Sequence, residues 1–317
     1  MTRTLATGPD IRGPAAGPAP HRRPPERSAL GRHQARAGMV FTAPAMVLFL
    51  VFTVLPVVGA FGLSFTAYDV LTPPSWAGLA NYARLLEDDT FFTTLKNILY
   101  YCAMFVPAMI ALSLVLALAL SRRLPGMAIF RTVYFIPVVT SPVAAATVWA
   151  WMLNSHYGPV NEILGYLGIP GPAWLGDGST AMVSIVIVTL WQGVGSNMLI
   201  YLAGLQNVPA HLYEAAALDG AGRWRSFLHI TWPSLRTTTF FVTTLSLIGA
   251  FQLFDQAYVM TKGGPGNTTL TPVYQIYETG FNRLQMGYAS AQAFTLFIII
   301  VAVTVINMRV NRDQVPE

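Results

Sequence analysis

Val208-Pro-Ala-His-Leu-Tyr-Glu-Ala-Ala-Ala-Leu-Asp-Gly-Ala-Gly-Arg-Trp-Arg-Ser-Phe-Leu-His-Ile-Thr-Trp-Pro233 is the most informative stretch of this 317-residue chain. Its pattern predicts helix, turn, helix. Pro209 suits a first helical turn, where a missing N–H leaves nothing unpaired. Residues 210–218 are mostly strong helix formers, and Gly220 can take the left-handed conformation that ends a helix. Asp219 is expected to cap the next helix. There Trp224, Phe227 and Leu228 share a face by their i, i+3, i+4 spacing, and Pro233 stops the run. The segment holds an apolar face and three consecutive alanines between two membrane-length apolar runs, an arrangement that makes sense when another protein covers it. Ala215, Ala216 and Ala217 permit close backbone approach, and Glu214 offers a charge to a basic partner residue. A DNA-binding helix-turn-helix looks similar locally, but no soluble domain surrounds this one.

Outward from this loop the chain is built for lipid. Hydrophobic residues make up 54% and charged residues only 10%, with a mean hydropathy of +0.50; soluble domains carry about 25% charged residues. A helix crosses a bilayer with about 20 apolar residues. Six stretches qualify: 39–66, 97–120, 133–154, 180–204, 238–261 and 288–308. The first is too long, and its positive region too extended, for a cleavable signal, and the prolines before it oppose a mitochondrial transit helix. Basic residues alternate with these spans. The tail, the loops 121–132 and 206–237, and the C-terminus hold 15 of the 19 lysines and arginines. Loop 67–96 sets Arg84 and Lys96 against four carboxylates, and loop 155–179 has no basic residue. An all-α membrane protein of six transmembrane helices with both termini cytoplasmic satisfies the positive-inside rule throughout. Asn81–Leu86 and Val160–Leu167, in the outer loops, read as short interfacial helices, serving either an external partner or as solvated connectors.

Three parts follow: a disordered basic cytoplasmic tail over 1–38, a six-helix transmembrane domain over 39–308 that includes the cytoplasmic loop 206–237, and a cytoplasmic C-terminal tail over 309–317. The tail's seven arginines against Asp10 and Glu26 give it the whole chain's net charge of +5. With six prolines and no interleaved aromatics, it fits an orientation signal rather than a nucleic-acid arm. Cys102 is the only cysteine, so an intramolecular disulfide and a cysteine-based zinc site are excluded. No phosphate-cradling Gly-x-x-x-x-Gly-Lys-Ser/Thr and no His-Glu-x-x-His occurs. His21 and His33 lie in the tail, and His156, His211 and His229 sit at loop positions. Neither a catalytic site, a metal nor a cofactor is expected.

Glu214, Ala215, Ala216, Gly220, Ile230 and Pro233 resemble the EAA motif of ABC importer permeases. The leading Val208-Pro209 and Asp219-Gly220-Ala221 are similar to its carbohydrate-uptake branch. Trp232 stands where the family usually has Leu, and a second Pro common shortly afterwards is absent. Thr261-Lys-Gly-Gly-Pro265 looks like the Thr-x-Gly-Gly-Pro signature of the maltose-permease-like first permease subunit. The resemblance covers most of 40–308. It implies the type I ABC importer transmembrane fold in a bacterial cytoplasmic membrane, and no covalent chemistry in this chain. The implied partners are a second related permease, two copies of a cytoplasmic ATPase and an extracytoplasmic solute-binding protein. Glu214, Ala215, Ala216, Asp219, Gly220, Phe227, Ile230 and Pro233 would couple the chain to the ATPase.

The same resemblance implies a sugar pathway along the third, fourth and fifth spans. It places Thr189, Gln192, Gly193 and Ser196 on the fourth, Ser246 and Ala250 on the fifth, and Val138 and Pro142 on the third. The four residues of the fourth span share one helical face. Such a polar-plus-small face suits a hydroxyl-rich ligand or helix packing in a membrane. Asp255, near the outer edge of the fifth span, reads either as functional or as an interfacial group. A sugar or oligosaccharide is the expected cargo. A glycerol phosphate compound and, as a different class, an ion-coupled secondary transporter are the alternatives; the latter would call for internal repeats and buried coupling carboxylates.

Overall fold

The computed structural model describes residues 29–121 and 125–310. Residues 1–28 of the basic tail, Arg122, Arg123, and residues 311–317 with Arg312 lie outside the described residues. The chain divides into two compact units, 1–57 and 58–317. In the first, helix α1 (Ala29–Phe49) begins ahead of the expected span, so residues 29–38 are helical where a disordered tail was expected. A π-helical turn follows at Leu50–Val54, closed by the Leu55 N–H on the Leu50 carbonyl. Pro56 comes next and has no N–H to continue the α-helical ladder, which accounts for the slip in register at this point.

The second unit is nearly all helical. Helix α2 (Leu55–Leu63) leads to a two-strand pairing, β1 (Thr66–Ala67) antiparallel to β2 (Ser75–Trp76), then α3 (Ala80–Leu86) and α4 (Asp89–Leu120). Asp88 starts α4 by accepting the N–H groups of Thr90 and Phe91 at 2.9 and 3.1 Å, which extends this helix ahead of the expected residue 97. Helices α5 (Met127–Val139) and α6 (Pro142–Met152) meet at a 97° bend. Pro142 at the first turn of α6 and the extended Thr140 leave no continuous ladder between them. After α7 (Pro159–Tyr166) comes α8 (Gly178–Gln206), capped by Asp177. The short helices expected at Asn81–Leu86 and Val160–Leu167 are present as α3 and α7.

The remaining elements are α9 (Ala210–Leu218), α10 (Arg223–Ser226), a π-helical turn at Phe227–Thr231, α11 (Trp232–Ser234) and α12 (Arg236–Phe251). The second π turn also precedes a proline: the Trp232 N–H reaches back to Phe227, and Pro233 follows. A third π turn (Ala257–Thr261), α13 (Pro272–Tyr277), a fourth (Glu278–Asn282) and α14 (Met286–Val310) complete the unit.

Among the described residues, four helical stretches are long and apolar enough to cross a bilayer: Gly38–Leu63, Asp89–Leu120, Gly178–Gln206 and Met286–Val310. The α5–α6 pair adds a fifth if its two bent halves count as one span. The stretch expected as a continuous span over 238–261 is instead the 16-residue α12, interrupted at Gln252–Phe254. At 1.5 Å per residue α12 measures about 24 Å, short of a ~30 Å hydrocarbon core.

Helices α4 and α8 form the centre. Ile98, Tyr101, Met109, Met182, Ile185 and Val188 fill one core with Phe251 and Ala257. A second core gathers Leu114, Ala117, Met198, Tyr201, Leu235 and Val242. Gly195 lets α8 touch the main chain of α5, since a Cβ there would collide with the Tyr134 carbonyl. Such backbone contact at small residues is how helices associate in lipid, where apolar burial gives little driving force.

Candidate functional site

A cavity of about 400 Å³ opens between α4, α8 and the interruption after α12. Thr189, Gly193, Ser196 and Asn197 contribute from α8, Tyr101 and Met109 from α4, and Ser246 and Gly249 from α12. Gln252, Phe254, Asp255 and Gln256 contribute from the interruption itself. The lining offers hydroxyls, amides and one carboxylate, with no lysine, arginine or histidine. Most of these groups are already engaged. The Tyr101 hydroxyl donates to Thr189 Oγ1 at 2.9 Å, and Ser196 Oγ donates to the Gly193 carbonyl at 2.9 Å. Among the lining hydroxyls Ser246 is the exception: it is 6% exposed and its Oγ has no hydrogen-bond partner among the described residues. A buried, unpaired hydroxyl costs about 1–3 kcal/mol, so a group on a bound molecule that satisfied it would gain from the contact.

The interruption that shapes the cavity is held from two sides. Non-helical backbone at membrane depth persists only where it is buried in protein or lines an aqueous cavity, because each unsatisfied group costs several kcal/mol. The Leu253 carbonyl is met by Thr271 Oγ1 at 2.7 Å. Gln256 Nε2 donates to Gln192 Oε1 at 3.0 Å, and Gln192 Nε2 reaches the Thr140 carbonyl at 3.4 Å in the α5–α6 bend. The Thr261–Pro265 segment turns back over this region. Lys262, Gly263, Gly266 and Asn267 all have positive φ, and Asn97 of α4 donates to the carbonyls of Asn267 and Leu270 at 2.6 and 2.9 Å.

The 208–233 stretch folds as two helices about a tight turn. Helix α9 ends in a Schellman arrangement: the Ala221 N–H bonds the Ala216 carbonyl at 2.8 Å, the Gly220 N–H bonds Ala217 at 3.1 Å, and Gly220 has φ +74°. Asp219 closes α9 and does not cap the next helix; Gly222 holds that position because the turn runs longer than its Asp-Gly suggests. Pro209 likewise precedes α9 as its cap instead of sitting in its first turn. Tyr213 turns inward to meet Thr231 Oγ1 at 2.9 Å, while Glu214, Ala215, Ala217 and Leu218 are exposed. Among the described residues no hydrogen bond or ion pair engages the Glu214 carboxylate. Leu218 is 90% and Trp224 71% exposed, and a groove of about 340 Å³ lies between the helices, lined by Ala216, Asp219, Arg225, His229 and Ile230. Phe227 packs inward against the Leu114–Tyr201–Leu235 core, which roots this loop in α4, α8 and α12.

Of the expected pathway residues, Thr189, Gly193, Ser196 and Ser246 line the cavity together. Gln192 stands behind it and positions Gln256, which does line it. Ala250 shares the Ser246 face of α12 by its i, i+4 spacing, but it is 2% exposed, packed in the core with Phe251, and not part of the lining. Val138 and Pro142 are also outside the lining, and Asp255 is part of it. Tyr101, Asn97, Asn197, Gln252, Gln256 and Thr271 were not anticipated. A polar side chain inside an apolar run is the available signal for Asn97 and Gln256. Thr271 has no such signal, since its role depends on a break that residue types do not announce.

Residues 96–314 match the family model described as binding-protein-dependent transport system inner membrane component. The chain is similar to the arabinooligosaccharides transport system permease protein of Bacillus subtilis, at 37% identity over 278 residues covering 87% of this chain and 88% of that protein. It is similar also to the sn-glycerol-3-phosphate transport system permease protein of Agrobacterium fabrum, at 33% over 278 residues covering 87% and 94%. In fold it resembles a chain of the bacterial alginate ABC transporter crystallised with an alginate pentasaccharide-bound periplasmic protein. That match has a TM-score of 0.79 and 20% identity, covering 91% of this chain and 98% of the other. The match to the family model over most of the length, together with relatives aligned along nearly all of it, shows that this chain belongs to the family of binding-protein-dependent transport system inner membrane components.

Proposed function

We propose that this chain is the first permease subunit of an ATP-driven importer of sugars or oligosaccharides in a bacterial cytoplasmic membrane. The cavity's chemistry carries the reading. Its hydroxyls and amides match a hydroxyl-rich, uncharged ligand. With Asp255 present and no basic residue in the lining, a phosphate-bearing cargo would meet a carboxylate and no counter-charge, against the usual recognition of phosphate by arginine and lysine. The relative named for arabinooligosaccharides supports the same class, and the one named for glycerol 3-phosphate is the second reading.

In this proposal six segments cross the membrane with both termini cytoplasmic; the bent α5–α6 pair is the third and the interrupted α12 region the fifth. Broken helices at a midplane substrate site are a recurring transporter design. Tail 1–38 and residues 309–317 then lie in the cytoplasm beside the loop 206–237. There Glu214, Ala215, Ala216, Asp219, Gly220, Phe227, Ile230 and Pro233 receive one of two ATPase subunits, and Phe227 passes the movement into the core. A second related permease supplies the other half of the pathway, and a solute-binding protein loads it from outside. Each ligand biases one two-state element, so ATP closure and substrate delivery are coupled.

The test is reconstitution with the partner permease, the ATPase and the binding protein in liposomes. ATP-dependent uptake of labelled oligosaccharides, with none of sn-glycerol 3-phosphate, is expected. Uptake of sn-glycerol 3-phosphate alone would move the chain to the second reading. Uptake driven by an ion gradient without ATPase would remove both.

A further inference from the structure

A second polar cavity, of about 310 Å³, lies where α3, α13 and the starts of α4 and α14 converge. Thr90, the α4 residue in its lining, is about 16 Å along that helix from Tyr101 of the cavity already described. By the topology proposed above it faces outward. Two guanidiniums, Arg84 and Arg283, and two carboxylates, Glu87 and Asp88, line it, yet no ion pair joins them among the described residues. Tyr288 keeps opposite charges apart. Its hydroxyl donates to Asp88 Oδ2 at 2.6 Å, and Arg84 lies over its ring, 4.1 Å from the centroid. Asp88 Oδ1 is taken by the start of α4. Glu87 and Arg283 are exposed, and their side chains have no partner among the described residues.

Solvated charges are ordinary on a protein surface. Buried polar side chains without partners in the same lining are not. Gln275 is 3% exposed, and its amide makes no hydrogen bond among the described residues. Thr279 is 1% exposed and its Oγ1 is unpaired among them, as is Gln285 Oε1. All three residues line the cavity. Their backbone is fixed: Gln275 lies within α13, and the Gln285 N–H bonds the Thr279 carbonyl at 2.9 Å. The hydrogen-bonding groups are therefore in place and unspent, and a ligand that pairs with them relieves a standing cost.

The four charges sum to zero, so a ligand needs no charge of its own. The guanidiniums only donate, the Glu87 carboxylate only accepts, and the two amides and the Thr279 hydroxyl do both. Adjacent sugar hydroxyls, each a donor and an acceptor, complement that mixture. A simple anion would meet two carboxylates, and an apolar ligand would leave Gln275 and Thr279 unsatisfied. The volume is at the low end for small-molecule sites, which suits one ring and not a chain. We propose that this cavity is an accessory site for a single neutral sugar ring on the outer face, separate from the transport cavity.

The test uses the complete importer complex in detergent, without binding protein, and with Ser246→Trp filling the transport cavity. L-arabinose, D-glucose and maltose are titrated in and followed by saturation-transfer NMR. At least one of them should bind. Adding Gln275→Leu should weaken that binding about fivefold, the loss of one or two hydrogen bonds. Glu87→Gln and Arg283→Gln change exposed side chains and leave packing alone, so they carry the test should Gln275→Leu lower the melting temperature; each should weaken binding about two- to threefold. Absence of sugar binding in a complex whose wild type imports saccharides would remove this site and leave the transport reading intact. Sugar binding here in a wild type that imports none would do the reverse. Binding indifferent to all three substitutions would place the sugar elsewhere and overturn the proposal. So would acetate or inorganic phosphate binding in place of the sugars and being lost in Arg283→Gln, which would mark an anion site.

Discussion

Gln192 of α8 joins the two interruptions of the bundle: its Oε1 accepts from Gln256 at 3.0 Å, and its Nε2 reaches the Thr140 carbonyl at 3.4 Å. One amide thus ties the α5–α6 bend to the break after α12, and the break is what opens the cavity. Interhelical hydrogen bonds in membranes contribute about 0.6 kcal/mol on average and about 1.7 at most. In a Gln192→Leu, Gln256→Leu double-mutant cycle the coupling should therefore fall in that range, with each single variant destabilised. Thermal unfolding of the detergent-purified complex measures it. Additive single effects would show that the two amides do not act on each other.

Thr271 should matter for a different reason. Its hydroxyl is the partner of a main-chain carbonyl that no helix satisfies. Thr271→Val keeps the shape and removes the donor, at an expected cost of roughly 1–3 kcal/mol. Thr271→Ser should recover most of that loss. Equal melting temperatures for Val and Ser variants would mean the Leu253 carbonyl finds another partner.

How far the fold could be read from residue types follows from what each kind of feature depends on. Long apolar runs locate α4, α8 and α14 because bilayer thickness imposes length directly. The turn at Gly220 was legible too, since few residues besides glycine adopt φ near +74° without strain. The α5–α6 bend was only half legible: Pro137 and Pro142 stand in the sequence, yet hydropathy averages across them. The break at Gln252–Phe254 has no proline or glycine within it. Thr271, eighteen residues away, satisfies the freed Leu253 carbonyl, and the Gln256–Gln192 pair ties the break to α8; such long-range partners leave no periodic trace. Ala250 shares the face of Ser246, and only its packing in the core beside Phe251 keeps it out of the lining, which spacing along α12 does not reveal.

The exposed loop yields a prediction about coupling. Glu214→Lys reverses a carboxylate that has no partner among the described residues, so folding and insertion should survive while ATP-driven uptake is lost. Gly220→Val forces a β-branched residue into a left-handed position, at a cost of about 1–2 kcal/mol or more in the turn. It should also abolish uptake. Membrane fractionation, co-purification of the ATPase and uptake are to be read together. Normal uptake by a Glu214→Lys complex would remove this loop from the coupling assignment.

The orientation can be checked with thiol chemistry because Cys102 is the only cysteine and is buried. In a Cys102→Ser background, a cysteine at Ser226 should react only with reagent supplied from the cytoplasmic side. One at Asn267 should react only from outside. Same-side labelling would rule out an odd number of crossings between the loop and the Gly-Gly-Pro turn, and with it the six-span topology.

The cavity gives the last prediction. Gly193 faces Met109, whose Cε would lie 3.1 Å from an added Cβ, so Gly193→Trp must push its ring into the open volume beside it. Ser246→Trp fills the same space from α12 and removes the one lining hydroxyl without a partner. Both should stop uptake, yet leave intact the stimulation of ATPase activity by the binding protein, because neither residue lies in the 206–237 loop. Asp255→Asn keeps the shape and hydrogen-bonding capacity of its side chain. For an uncharged cargo it should lower uptake by less than about tenfold, the equivalent of 1.4 kcal/mol. For a cationic cargo, removing the only charge in the lining should cost far more. Comparing the three variants therefore separates blocked volume from lost charge. Wild-type uptake in both tryptophan variants would place the route along the partner subunit instead.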